Sequence, residues 1–477
     1  MDVKVTFCFV LFSLICLSSA ENVNLGVEAV TTIATTDENF VCATLDWWPS
    51  RLCIQSLENQ IRRFTGRSDC LSIWKTKGMS RYEKETRWSL WFSEGCLPKK
   101  KWDEINHFFN KTRVKFTFGL NALAGKKNSE EHKGDWVGNW NPTNAISLME
   151  YELCSGGVGA SVDSVQYAKD ITTLKRIVNL LYPNANTRPK VLAPGGFYSK
   201  DWFESFLQNV EPGVVDGVTH HIYNLGAGDD KNLIHKIQNP YYLSQVAQTF
   251  KDVSIVVNEY SPSAGAWVGE SGGAYNSGGK DVSNTFVNGF WYLDQLGMTS
   301  TFNHKAYCRQ ALVGGNYGLL NTTTLIPNPD FYGALLWHRL MGHKVLSVFH
   351  EGSPYLRAYA HCSKKGAGIS VLLINMSNCT FFQVYLDEDI NLHPSQDEVK
   401  GRAQETMTMR EEYHLRPEDG NIQSDVVLLN GTPLKLTKSK DIPEMKPKLV
   451  DPYSPISVAS DSIVFVHSKS FNAPACG

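Results

Sequence analysis

From about residue 25 to residue 345, short apolar runs alternate with amphipathic stretches of helical length. VKFTFGLNAL precedes NAISLMEY, VLAPGGF precedes DWFESFLQNV, and VTHHIYNL precedes NPYYLSQVAQTF. Alternation of this kind marks βα units laid around a parallel sheet. Several of the strand-like runs end on polar or glycine-containing corners, GLNAL, APGGF and THHIYN, the place where a barrel of βα units keeps its chemistry. The expected fold class is α/β, a (β/α)8 TIM-type barrel. A doubly wound sheet is the alternative, but no GxGxxG opens a helix.

After residue 345 the texture changes to short alternating strands: YLRAYAHC, GISVLLINM, TFFQVYL, SDVVLLNGTPLKL and DSIVFVHSKSF. Helical periodicity nearly disappears, so a C-terminal antiparallel β-sandwich packed on the barrel is expected. PEDGN and LNGTP read as hairpin turns. The expected division is 1–20 as a signal peptide, 21–345 as the barrel and 346–477 as the sandwich.

The 477 residues suit two domains. Aromatics at 11% with charged residues at 20% describe an ordered globular chain. A formal net charge of -2 argues against nucleic acid as a partner; the run Lys99, Lys100 and Lys101 reads as a solvated face. Residues 1–20 combine one early Lys, an apolar stretch and small residues at Ser18 and Ala20, the layout of a removable secretory signal. No later segment is apolar enough to span a bilayer. The acceptor pattern N-x-S/T falls at Asn110, Asn321, Asn375, Asn378 and Asn430, which suits a secreted glycoprotein. Of 11 cysteines, Cys8 and Cys16 leave with the signal. The rest form no CxxC pair and no zinc-like cluster, so neither a metal nor a cofactor is expected.

The richest segment for chemistry is AWVGESGGAYNSGG. A short apolar strand runs into Gly269 and Glu270, and a Gly- and Ser-rich loop carrying Tyr275 follows. A carboxylate at a strand end beside a loop that allows close approach is what a sugar-cleaving site requires; the plainer reading is an exposed Glu before a flexible loop. The GGK in the same loop lacks the first Gly and the Ser or Thr of a phosphate loop. Glycoside hydrolysis needs a second carboxyl group. Glu152, in MEYELCSGGVG, is the candidate, although SLMEY before it reads as helix. His220 and His221 in THHIYN point to opposite faces of a strand and cannot easily share one ion. VGGNYGLLN offers backbone amides and Tyr317 for holding an anion, or is a plain turn. No GxSxG elbow supports a Ser-His-Asp hydrolase.

With FWYLDQLGM, AYCRQALVGGNYGLLN, NPDFYGALLWHRLMG, NFVCATLDWWP and the terminal SFNAPACG added, the chain resembles plant heparanase-like proteins and β-glucuronidases of glycoside hydrolase family 79. The resemblance implies a barrel with a β-sandwich and a retaining enzyme, exo- or endo-acting, on β-linked glucuronic acid in glycans or small-molecule glucuronides. It implies Glu270 as nucleophile and Glu152 as acid/base. Asp46, His221, Tyr223 and Tyr275 would line the sugar site, and Gly315 and Tyr317 would receive the glucuronate carboxylate. An extracellular or cell-wall, or else lysosomal or vacuolar, destination follows from the export signal, and peripheral membrane association from the resemblance alone. The sequence departs from the family pattern in two places. It passes from SLMEY directly into ELCSGGVG without a WELGNEL-like strand, and it is shortened between LDWWPSRLC and SLENQ. The alternative expectation is a noncatalytic or truncated homologue that binds uronic-acid glycans.

Overall fold

The computed structural model describes residues 19–45, 72–75, 99–120, 122–132, 134–143, 145–146, 161–388 and 409–477. Strands β1 (Ser19–Glu28), β2 (Val41–Thr44), β3 (Ser72–Lys75), β4 (Lys115–Phe118), β5 (Leu192–Ala193), β6 (Gly217–His221), β7 (Ala266–Ser271) and β8 (His304–Arg309) precede the C-terminal strands. Seven of them form one wholly parallel sheet in the order β4-β3-β2-β8-β7-β6-β5. The order is cyclic: β2, first in the chain, pairs with β8, the last. The two strands at the edges, β4 and β5, are consecutive among the described strands of this sheet. A sheet with that order curls toward a barrel.

Helices α1 (Lys99–Thr112), α2 (Ser164–Leu181), α3 (Lys200–Asn209), α4 (Ala247–Tyr260), α5 (Asn288–Thr301) and α6 (Pro329–Leu340) follow the strands. The patterned stretches DWFESFLQNV and NPYYLSQVAQTF are helical as their periodicity predicts, the second broken into Pro240–Ser244 and α4. Asp163 caps α2 by accepting from the backbone N–H groups of Val165 and Gln166, satisfying two of the unpaired donors at a helix start. Helices α5 and α6 are buried on almost every side. An all-round apolar helix belongs between layers, and these two lie between the parallel sheet and the C-terminal strands.

Those strands are β9 (Met341–Phe349), β10 (Leu356–Ser363), β11 (Ile369–Asn375), β12 (Thr380–Glu388), β13 (Arg410–Pro417), β14 (Ile456–Val458) and β15 (Ser462–Ser468). They follow one hydrogen-bonded path, β13-β15-β11-β10-β9-β1-β12-β14, extended beyond β13 by the hairpin Val427–Leu429 and Thr432–Pro433. That hairpin turns on Asn430 and Gly431, both at positive φ, as LNGTP predicts. Strand β1 lies in this path, pairing antiparallel with β9 and parallel with β12. A boundary between 345 and 346 is therefore crossed twice, since residues 19–28 belong to the C-terminal sheet and β9 begins at Met341. The expected signal also reaches into β1 at Ser19 and Ala20.

Strands β11 and β15 are buried on both faces. Leu372, Ile374, Ile463 and Phe465 join α5 and α6 in the main core. Val371, Leu373, Val464 and Val466 meet Val23, Leu25, Phe382, Val384, Ile456 and Val458 in a second. Residues from distant parts of the path share that second core, so the sheet folds over on itself. Among the described residues two disulfides tie the layers internally: Cys42–Cys308 joins β2 to β8, and Cys362–Cys476 joins β10 to the C-terminal turn.

Candidate active site

Glu270 stands at the carboxyl end of β7. Pairing of β7 with β6 shifts register between Val268 and Glu270, which sets Glu270 opposite His221. Gly269 occupies the irregularity, where a Cβ would come within 3.3 Å of the Thr219 side chain; bulges of this kind re-aim a side chain beside an active site. The Glu270 side chain is 15% accessible. Tyr223 donates its hydroxyl to Glu270 Oε1 at 2.5 Å, a charge-assisted bond that fixes one carboxylate oxygen. The other oxygen, Oε2, lies 3.7 Å from His221 Nδ1, beyond hydrogen-bond range. Burial pushes the His221 imidazole below its ordinary value, and the Glu270 carboxylate pulls the other way. The ring is neutral at neutral pH. Tyr223 thus holds Oε1, while Oε2 makes no hydrogen bond among the described residues.

The glycine loop after β7 closes the site from one side. At Gly272 a Cβ would sit 2.8 Å from the Tyr223 ring and 2.9 Å from the Tyr317 ring, so only glycine lets the two tyrosines approach each other across the backbone. Tyr275 follows in a two-residue strand paired with Gly226–Ala227 and is exposed. Gly315, at φ 64°, lies against Ser277, whose carbonyl accepts from Asn316 N at 2.7 Å; Asn316 Nδ2 donates to the Gly278 carbonyl at 3.0 Å. The Gly315–Tyr317 turn is therefore clipped to the glycine loop.

Beneath that turn is a buried cation. Arg309, the last residue of β8, donates through Nε (3.1 Å) and Nη2 (2.9 Å) to the Tyr317 carbonyl, and Nη2 lies 2.9 Å from Asp330 Oδ2. Its guanidinium stacks over Trp291 and Tyr292 at 4.9 and 4.8 Å. Burial pushes the Asp330 carboxyl up while the Arg309 guanidinium holds it down; Asn288 Nδ2 donates to the same oxygen at 2.7 Å.

Six residues expected at the site, Glu270, His221, Tyr223, Tyr275, Gly315 and Tyr317, come together around these two loops. Asp46 and Glu152 lie outside the described residues. His220 points to the opposite face, as strand alternation requires; its Nε2 meets His304 Nε2 at 3.1 Å, and burial lowers both imidazoles, His304 to about 4. Arg309 was not singled out from sequence, although a cation directly after the apolar run AYC at the end of a strand is the signal that marks it. Asn375 corrects the expectation of a glycan there. It is fully buried in β11, and its Nδ2 donates to the carbonyls of Thr380 (2.7 Å) and Ala459 (2.8 Å), leaving the amide no route to a sugar. Asn110, Asn378 and Asn430 are exposed and Asn321 is half-buried.

The glycosyl hydrolase family 79 N-terminal domain matches residues 22–58 and 71–297. Heparanase-like protein 2 of Arabidopsis thaliana is 42% identical, over 96% of this chain and 96% of that protein. Baicalin-beta-D-glucuronidase of Scutellaria baicalensis is 36% identical, over 96% and 95%. The match to the Arabidopsis protein runs over 519 residues, against 477 in this chain, so at least 42 matched positions there have no counterpart here. Among solved structures, the GH51 arabinofuranosidase from Xanthomonas axonopodis pv. citri aligns with a TM-score of 0.61 at 11% identity, over 93% of this chain and 99% of that one. A 4-O-alpha-L-rhamnosyl-beta-D-glucuronidase from Fusarium oxysporum 12S aligns at 0.59 and 12%, over 93% and 100%. These two likenesses establish a shared fold.

Proposed function

The chain belongs to glycosyl hydrolase family 79, a family of glycoside hydrolases, and we propose that it is a retaining β-glucuronidase with Glu270 as its nucleophile. The observation that carries this reading is the strand-end carboxylate pinned at Oε1 by Tyr223 and open at Oε2. Oε2 attacks the anomeric carbon; the bond to the aglycone breaks, and its electron pair stays on the leaving oxygen. Glu152 is proposed as the acid that protonates that oxygen. Its carboxylate then takes a proton from water, which attacks the anomeric carbon, releases Glu270 and yields free glucuronic acid. Backbone amides around Gly315 and the Tyr317 side chain are proposed to hold the glucuronate carboxylate, on a turn that Arg309 supports from below.

The finer architecture proposed is a (β/α)8 barrel carrying a β-sandwich. Cleavage after residue 20, secretion, and glycans at Asn110, Asn321, Asn378 and Asn430 complete the reading; delivery to the cell wall or to a vacuole or lysosome are its two outcomes.

A fluorinated glucuronosyl fluoride tests the mechanism. The expected result is a stable covalent adduct on the peptide containing Glu270, absent in Glu270→Gln. A folded protein that forms no adduct overturns the proposal. That outcome would favour the second reading, a noncatalytic binder of uronic-acid glycans, which rests on the residues lacking relative to the Arabidopsis protein and on the absent WELGNEL-like strand.

A further inference from the structure

The chain just past β6, which carries Tyr223, is gripped from two sides. On one side residues 222–228 run beside the glycine loop: Ile222 N donates to the Glu270 carbonyl (3.0 Å), Leu225 N to that of Gly273 (3.0 Å) and Gly228 N to that of Tyr275 (2.9 Å). On the other side the bonds come from side chains. Tyr242 donates its hydroxyl to the Asn224 carbonyl at 2.9 Å, and Lys236 Nζ donates to the Leu225 carbonyl at 2.8 Å. Asn224 is tied a second time, its Oδ1 accepting from Trp291 Nε1 at 2.8 Å. Tyr223, which holds Glu270 Oε1, directly precedes this braced pair.

Lys236 is the charged member of the brace. Its ammonium lies 2.6 Å from Asp230 Oδ2 and 5.4 Å from the centroid of the Tyr242 ring. The two side chains of the ion pair are 24% and 26% accessible, and a pair that open to water contributes little to stability by itself. What separates it from an ordinary surface pair is the third partner. Leu225, with its side chain fully buried, has both backbone polar groups fixed, the N–H toward the glycine loop and the carbonyl toward Lys236. At Gly226 a Cβ would come within 3.2 Å of the ammonium, so the chain passes close over the charge. A charged donor makes a stronger bond to a carbonyl than a neutral one does, and this one is aimed at a main-chain atom two residues from the tyrosine that fixes the nucleophile.

We infer that Lys236 is a positioning residue: through Leu225 it sets where Tyr223 stands, and so where the Glu270 carboxylate points. The inference rests on the proposed role of Glu270. Lys236→Met removes the donor and keeps the stem. With the fluorinated glucuronosyl fluoride and the full-length protein, the maximal rate of adduct formation should fall about three- to thirtyfold. The reagent concentration giving half that rate should change little, and the final adduct should remain one per chain. A merely destabilised protein would instead keep its rate and carry fewer adducts per chain. In a Tyr223→Phe background Lys236→Met should cost less than about twofold more, because the hydroxyl it aims is gone. Tyr242→Phe, which removes the bond to the Asn224 carbonyl, should act in the same direction and with the same dependence on Tyr223. Wild-type rates in Lys236→Met, a raised half-maximal concentration at constant maximal rate, or full additivity with Tyr223→Phe overturns the inference.

Hydrogen exchange followed by mass spectrometry reads the brace without activity. Peptides covering residues 222–228 should lose protection in Lys236→Met, while those of β11 and β15 keep theirs. Wild-type protein that forms no adduct sinks the hydrolase reading, and exchange then decides the brace alone. Faster exchange confined to residues 222–228 upholds the hold of Lys236 on the Tyr223 loop, and unchanged exchange there overturns it.

Discussion

Tyr223, just past the end of β6, donates to Glu270 Oε1 on the neighbouring strand β7 at 2.5 Å, and in the proposed mechanism that bond leaves Oε2 as the attacking oxygen. Without it the carboxylate can rotate, and both oxygens lose their fixed aim. Tyr223→Phe removes the donor and keeps the ring against Gly272 and Phe197. Hydrogen bonds to charged groups are worth about 1.5–3 kcal/mol, so kcat should fall roughly ten- to a hundredfold with KM little changed. The rate of adduct formation with the fluorinated reagent should fall in parallel. A variant that traps at the wild-type rate would show that the bond does not position the nucleophile.

Arg309 acts at one remove. It touches no reactant; it holds the Tyr317 carbonyl with two donors and Asp330 with one of them. Lysine cannot reproduce a planar fork. Arg309→Lys should therefore raise KM for simple glucuronides severalfold while changing kcat less, because the loosened turn weakens ground-state and transition-state binding alike. Stability should also drop, by about 2–4 kcal/mol, since Asp330 is left incompletely paired in a buried place. Kinetics and urea unfolding measure the two effects; a fall in kcat at constant KM would assign Arg309 a different role.

Behind the barrel strands, the His220–His304 pair makes stability depend on pH. Burial holds the His304 imidazole at about 4, against 6.5 in the unfolded chain, and holds His220 well below its ordinary value. Between those values the unfolded chain binds protons that the folded one refuses, so stability falls as pH drops from about 6.5 toward 4. His361, also held at about 4, adds in the same direction. Asp461, raised to about 6 by burial although the Gln238 amide donating to it pulls the other way, opposes them by taking up a proton in the folded state first. Burial also lowers His221, His350 and His467 and raises Asp330, so among the described residues six lowered histidines stand against two raised aspartates and leave a net loss. Urea unfolding free energies at stepped pH should show it, and His304→Gln should flatten the slope by about 3 kcal/mol across the window. An unchanged slope would mean that His304 titrates alike in both states.

The parallel sheet was legible because each βα unit is local. VLAPGGF, VTHHIYNL and AWVGES carry an apolar run and its polar corner within ten residues, and β5, β6 and β7 fall on them. Of the site residues, His221, Tyr223 and Glu270 lie on those corners. The place of β1 was not legible. NVNLGVE alternates as a strand should, but its partners, Phe349 through Ser347 and Thr380 through Glu388, are more than 300 residues away, and pairing at that distance leaves no local mark. Burial hid Asn375 for a related reason. β11 faces two cores at once, so ISVLLIN shows no alternation that would mark its terminal Asn as interior.

Asn375 and Asn378 are neighbouring acceptor patterns with opposite fates. Asn378 is exposed in the turn between β11 and β12, so a transferase can reach it. Three residues earlier, Asn375 spends its amide on the Thr380 and Ala459 carbonyls, and its Oδ1 accepts from Ser377 N at 2.9 Å. These bonds close the turn and join β11 to the chain after β14. Glycopeptide mapping of protein from a secretory host should find sugar at Asn378 and none at Asn375. Asn378→Gln should remove one glycan with little effect on folding. Asn375→Ala should remove none and cost about 2–4 kcal/mol, because several buried backbone groups lose their partner together. Sugar found at Asn375 in folded, secreted protein would mean that β11 ends earlier than these hydrogen bonds place it.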